Sequence, residues 1–158
     1  MNTLTERRLW IWVVCLALLL TPALSLSAQD ETADGDDAVR TLSHDDRERE
    51  YLLHVPETYT GEDAVPLALV FHGAGDNATN MRNATEFREL ADLTGTIVAY
   101  PNAVDARWDY LDVPLERGDD LVNEIGFVEA LIDALSEEFN VDQNRIYTIG
   151  YSNGGLMA

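Results

Sequence analysis

Near its C-terminal end the 158-residue chain carries a short apolar run, Ile146-Tyr147-Thr148-Ile149, that stops abruptly at Gly150-Tyr151-Ser152-Asn153-Gly154-Gly155. A run of β-formers closed by glycine reads as a buried strand. The pattern Gly-x-Ser-x-Gly directly after such a strand, followed by the helix-like Leu156-Met157-Ala158, reads as a strand–turn–helix elbow. A serine on so tight a turn projects its hydroxyl above the sheet, and glycines on either side let the backbone bend without a Cβ clash. Ser152 is therefore the candidate nucleophile, with Gly150 and Gly154 supporting it. A glycine-rich turn that merely contains a serine is the alternative.

The remaining punctuation fits an α/β chain. Val39 to Ser43 and Glu50 to Val55 are strand-like, separated by the polar His44-Asp45-Asp46-Arg47, which predicts an opening hairpin closed by Pro56. Leu67-Ala68-Leu69-Val70-Phe71 is an unbroken apolar run of the kind buried on both faces. Met81, Ala84, Phe87, Leu90 and Ala91 recur at helical spacing, so one amphipathic helix is expected over 80–93, capped by Thr79 or Asn80. Thr96 to Tyr100, closed by Pro101, is a second buried strand. Ile125, Val128, Leu131, Ile132, Leu135 and Phe139 mark another helix, with Asp119, Asp120 and Asn123 as cap candidates. The Ile146–Ile149 run is then the third buried strand. Strands alternating with helices imply a mostly parallel sheet.

A serine nucleophile also needs N–H donors for the oxyanion of its tetrahedral intermediate. His72-Gly73-Ala74-Gly75 follows the first buried strand, and Asn153 follows the serine. The backbone N–H groups of Ala74 and Asn153 are the nominated donors, with Gly73 allowing the loop its path. His72 is read as a residue that holds the loop rather than as a general base. Trp108 is read as packing, with stacking on a sugar or aromatic acyl group as the alternative. No Cys/His cluster or calcium-loop pattern points to a metal, and no cofactor is expected.

Several ordered segments together resemble the secreted α/β-hydrolase esterases that include polyhydroxybutyrate depolymerases and feruloyl or acetylxylan esterases. They are Arg49-Glu50-Tyr51-Leu52-Leu53-His54-Val55-Pro56, Leu69-Val70-Phe71-His72-Gly73, Tyr100-Pro101-Asn102, Val122-Asn123-Glu124-Ile125-Gly126-Phe127 and Ile149 to Ala158. The similarity runs from about residue 40 to the end, and Asn123-Glu124 stands where the family usually carries two aspartates. The resemblance implies an α/β-hydrolase fold and an acyl-enzyme on the serine. It also implies a Ser-Asp-His triad in that chain order. His44, His54 and His72 all precede Ser152 and no acid or base follows it. The triad Asp and His are thus expected outside this chain, which reads as an α/β-hydrolase truncated after the nucleophile elbow, inactive and aggregation-prone alone. The expected substrate is an ester-bearing polymer or oligomer. A serine peptidase of the same fold and a non-catalytic homologue are the alternatives.

The N-terminus has the layout of an export signal over 1–28. Arg7 and Arg8 precede an apolar run from Leu9 to Leu20, and small residues reach Ala28. That run is short of the roughly 20 residues a membrane span needs. An uncleaved anchor is the alternative, and it would be the chain's sole membrane contact. Residues 29–38 read as an acidic linker, and 39–158 as the N-terminal part of the catalytic domain. The lone Cys15 lies in the apolar run, so the exported part has no cysteine. A secreted, extracellular or periplasmic location follows. Ten cations, all Arg, against 29 acids give a net charge of −19, which argues against nucleic acid as a partner.

Overall fold

The computed structural model describes residues 37–111, 116–117 and 120–158. The predicted leader, nearly all of the acidic linker, and Asp112 and Asp119 lie outside the described residues. Strands β1 (Ala38–His44) and β2 (Arg47–His54) form the predicted hairpin. Its two-residue loop, Asp45-Asp46, has φ of 50° and 57°, the left-handed pair that matches the twist of flanking strands. β3 (Val65–Phe71), β4 (Ile97–Pro101) and β7 (Val141–Gly150) complete a five-stranded sheet in the order β1-β2-β4-β3-β7. The hairpin joins antiparallel, whereas β4, β3 and β7 run parallel. β5 (Glu116–Arg117) and β6 (Asp120–Leu121) make a separate two-stranded ladder.

Period-two alternation explains why β3 is apolar throughout. Leu67, Leu69 and Phe71 point to the side covered by α3 (Glu124–Glu138), where Phe127, Leu131 and Leu135 are wholly buried against them. Ala68 and Val70 point to the other side, under α1 (Ala78–Asn83) and α2 (Phe87–Thr94). Each of the three α3 side chains contributes about 1.5–3 kcal/mol of burial. Asn123 caps α3, its side-chain oxygen accepting from Gly126 N at 2.9 Å.

Three expectations need correction. The helix predicted over 80–93 is two helices, because the Thr85 hydroxyl donates back to Met81 O at 2.9 Å and competes with the helical ladder. Its cap is Asn77, whose Oδ1 accepts from Asn80 N at 2.9 Å, rather than Thr79 or Asn80. The break turns Ala84 and Leu90 outward, while Met81 and Ala91 stay buried. Second, β7 is not covered on both faces within this chain: β3 is its neighbour and Tyr147 is 51% exposed, which matches a strand left at the edge by truncation after the elbow rather than a strand buried within the sheet. Third, Asp37 and Ala38, read as the end of the linker, belong to the folded domain, since Ala38 opens β1 and Asp37 is buried. Asp37 Oδ1 accepts from His54 Nδ1 at 2.9 Å, and its Oδ2 accepts from Arg82 at 3.2 Å.

Candidate functional site

The parallel strands deliver their C-terminal ends to one rim of the sheet, where α/β folds place their chemistry. β7 ends at Gly150, beside Phe71 at the end of β3. Tyr151 N then donates to Phe71 O at 3.2 Å, and the chain reverses at Ser152 into α4 (Asn153–Met157). Ser152 has φ 52° and ψ −116°, a conformation costly for a residue with a Cβ, and its side chain is exposed. Both flanking glycines are sterically required. A Cβ at Gly150 would strike the carbonyl of Gly154, and one at Gly154 would strike the carbonyl oxygens of Phe71 and His72.

The loop after β3 lies against this turn. A Cβ placed on Gly73 would sit 3.6 Å from the Ser152 Cβ and 3.1 Å from the Tyr151 ring. Ala74 is exposed beyond it, and the next amide, Gly75 N, is committed to Ala106 O at 2.7 Å. Asn153 occupies the first position of α4, where an N–H has no intrahelical acceptor. The structure therefore brings Gly73, Ser152 and Asn153 to one rim with Ala74 alongside.

His72 is wholly buried and fully engaged. Its Nδ1 donates to Gly73 O at 2.8 Å, while Nε2 accepts from Ala103 N at 3.1 Å. That pattern fixes one neutral tautomer and leaves no lone pair for a serine hydroxyl. The two bonds tie the ring to the loop after β3 and to the one after β4. The other imidazoles are elsewhere. His44 ends β1 at the opposite edge of the sheet from β7. His54 lies in the strand row of Val98, Ala68 and Tyr147, at the other end from the rim.

Behind the rim stands a scaffold in which sequence reasoning read Trp108 as packing but missed the parts played by Asn102 and Arg49. Trp108 is a packing residue, wholly buried and edge-on to Phe71 with ring centroids 5.0 Å apart. Its indole N–H donates to His72 O at 3.0 Å. Asn102 ties its own segment to α1 and β2: its Oδ1 accepts from Ala78 N at 2.7 Å, its Nδ2 donates to Glu50 Oε1 at 2.9 Å, and its carbonyl accepts from Arg49 at 3.0 Å. Glu124, read only as a helix start, is buried. It pairs with Arg49 at 2.5 Å and accepts Val104 N at 2.9 Å. Burial holds its carboxyl above the ordinary range, even with the Arg49 guanidinium beside it. Arg49, Asn102 and Glu124 all lie in the segments that carry the family resemblance, which was the available signal. Among the described residues, no group of three His, Cys, Asp or Glu side chains is placed to hold a metal, and no helix is long and apolar enough to cross a membrane.

No protein-family model matches the chain. Among curated proteins it is similar to one named esterase NocK from Nocardia uniformis subsp. tsuyamanensis, 33% identical over 127 residues, covering 80% of this chain and 37% of that protein. The bifunctional acetylxylan esterase/xylanase XynS20E of Neocallimastix patriciarum is 29% identical over 93 residues, 58% of this chain and 12% of its own. Feruloyl esterase B of Thermothelomyces thermophilus is 26% identical over 146 residues, 89% of this chain and 45% of its own. The chain thus spans less than half the length of these relatives. Among solved structures, a thermostable esterase superposes with a TM-score of 0.59 at 25% identity, over 77% of this chain and 36% of that one. An S-formylglutathione hydrolase from Agrobacterium tumefaciens, at 20% identity, shares the fold with a TM-score of 0.65 over 77% and 50%. The chain is a relative of proteins named esterase, feruloyl esterase and acetylxylan esterase, and it is built on the α/β-hydrolase fold, with a mostly parallel sheet.

Proposed function

We propose that this chain supplies the nucleophile and oxyanion-hole half of a secreted serine hydrolase that cleaves carboxylic esters. The observation that carries the reading is Ser152 itself, exposed in a costly backbone conformation between two glycines that admit no side chain. In the proposed cycle Ser152 Oγ attacks the ester carbonyl carbon as its proton passes to a general base. The oxyanion is held by the N–H groups of Ala74 and Asn153. Collapse expels the alcohol, which takes that proton, and leaves an acyl-serine. Water, deprotonated by the same base, then releases the acid and restores the hydroxyl. None of the three histidines is placed to be that base, and in this reading the base and its acidic partner are supplied by sequence other than these 158 residues.

The substrate class follows from the names of the relatives and from the export layout of 1–28: acyl groups on a polymer outside the cell, feruloyl or acetyl esters first, with polyhydroxyalkanoate also in scope. The test uses the full-length protein. A fluorophosphonate probe is expected to label the wild type at Ser152 and to leave Ser152→Ala unlabelled. Methyl ferulate and nitrophenyl acetate are expected to be hydrolysed and a dipeptide anilide spared. Labelling of Ser152→Ala would remove the nucleophile assignment, and preference for the anilide would make the protein a peptidase. A folded protein with an unreactive Ser152 would make it a non-catalytic homologue.

A further inference from the structure

We propose that the Asn153 side chain is a positioning group, which holds its own backbone N–H in register with that of Ala74 by clamping the loop at Trp108. This rests on the reading of Ser152 as nucleophile and adds a residue function to it. The carboxamide engages the backbone of a single residue, Trp108, with both its oxygen and its nitrogen. Its Oδ1 accepts from Trp108 N at 2.7 Å, and its Nδ2 donates to Trp108 O at 3.1 Å. Such two-point contact fixes orientation as well as distance. The first N–H groups of a helix have no intrahelical acceptor, so what orients the Asn153 N–H from outside α4 matters to its direction.

What the clamp grips is itself anchored. Trp108 is wholly buried and bonded through its indole to His72 O, at the base of the loop that carries Ala74. Two residues earlier, Ala106 O takes Gly75 N at 2.7 Å, immediately beyond Ala74. One short segment therefore touches the carriers of both donors. It does so with Asp105 and Ala106 at φ of 50° and 55°, a conformation that non-glycine residues hold only under external constraint. The constraint is visible: Ala103 N is bound by His72, and Val104 N by the buried Glu124.

The full-length protein is compared with Asn153→Ala and Asn153→Asp on nitrophenyl acetate, with Ser152→Ala alongside. Losing one oxyanion donor costs about 10²–10³ in rate, and a misaligned donor costs less. Asn153→Ala is expected to lower kcat by about 10–100-fold, with KM within about threefold. Inhibition by a boronic acid, which forms a tetrahedral adduct on the serine, should weaken by the same factor. Asn153→Asp keeps an acceptor for Trp108 N but loses the donor and sets a charge near the oxyanion, so its kcat should also fall. A kcat within twofold of wild type in folded Asn153→Ala overturns the proposal. So does a raised KM with kcat held, or loss of folding in both variants, since each assigns the side chain to binding or to structure alone. Activity surviving in Ser152→Ala would instead sink the nucleophile reading, whatever Asn153 does.

Discussion

Replacing His54 with Ala removes the closest partner of a buried carboxylate and makes stability depend differently on pH. His54 Nδ1 lies 2.9 Å from Asp37 Oδ1 and Nε2 lies 2.8 Å from Asp92 Oδ1. A neutral imidazole has a single N–H, so only the protonated ring serves both acceptors. The bond to Asp37 raises the His54 pKa, burial opposes it, and Asp92 adds to the rise. Burial alone would push Asp37 up, but His54, Arg88 and Arg82 together outweigh it and hold its carboxyl below the ordinary range. A charge-assisted bond of this kind contributes about 1.5–3 kcal/mol. The Asp92 arm adds about 0.5 kcal/mol or less, because that side chain is 56% exposed. Arg82 at 3.2 Å and Arg88 at 3.8 Å remain on Asp37, which keeps the penalty below the 3–5 kcal/mol of a buried charge left without partners. His54→Ala should therefore cost about 2–3 kcal/mol near pH 6, read as the shift in urea unfolding of the full-length protein. A raised folded-state pKa means that the His54 contribution is complete below the ordinary imidazole value and is lost as pH rises through the folded one. The gap between wild type and variant should then narrow steadily toward pH 9. A gap under about 0.5 kcal/mol at pH 6, or one that widens with pH, would refute the protonated bridge.

Three further outcomes follow from the geometry. Gly154→Ala should destabilise the protein by about 3 kcal/mol or more, measured by urea unfolding, because its Cβ lands on two backbone carbonyls that close the end of β3. Glu124→Gln keeps an acceptor for Val104 N but leaves the Arg49 guanidinium, 4% exposed, without its counter-ion; a loss of about 3 kcal/mol is expected. Adding Arg49→Met to Glu124→Gln should recover part of that loss, since Met can pack on the Phe127 ring over which the guanidinium lies at 3.8 Å, and a double variant worse than the single one would contradict this.

The sequence made legible whatever rests on local pattern. Alternation under two helix layers marks β3 as a continuous apolar run, and Pro101 and Gly150 mark where strands stop. The elbow is legible because its two glycines and serine answer to one steric problem within five residues. What escaped depends on distant partners. Asp37 sits in an acidic run indistinguishable from linker, and its burial is decided by His54 and Arg82, 17 and 45 residues away. Glu124 looks like an exposed helix start, whereas Arg49, 75 residues earlier, draws it inside. Helical spacing alone cannot show that a threonine hydroxyl breaks the ladder at Met81.

Charge and packing meet in the loop that follows β4. Arg49 from the hairpin reaches Glu124 at the start of α3, and Glu124 reaches Val104; His72, at the end of β3, receives Ala103 N. The elements that converge there belong to both halves of the sheet, the antiparallel hairpin and the parallel strands. A displacement of the hairpin at Arg49 is therefore passed through Glu124 to the residues that hold Ala106 and Trp108, and from them to Gly75 and Asn153. Such coupling is stiff because each joint is hydrogen-bonded and the Arg49–Glu124 joint is buried, and a buried polar joint is costly to leave half made. A residue some distance from Ser152 thus has a physical route to the geometry around it. The Glu124→Gln variant gives that route its own readout: if its cost were confined to stability, with kcat of the full-length protein unchanged, the hairpin would be scaffold only, whereas a fall in kcat at constant KM would place Arg49 and Glu124 in the support of the oxyanion donors.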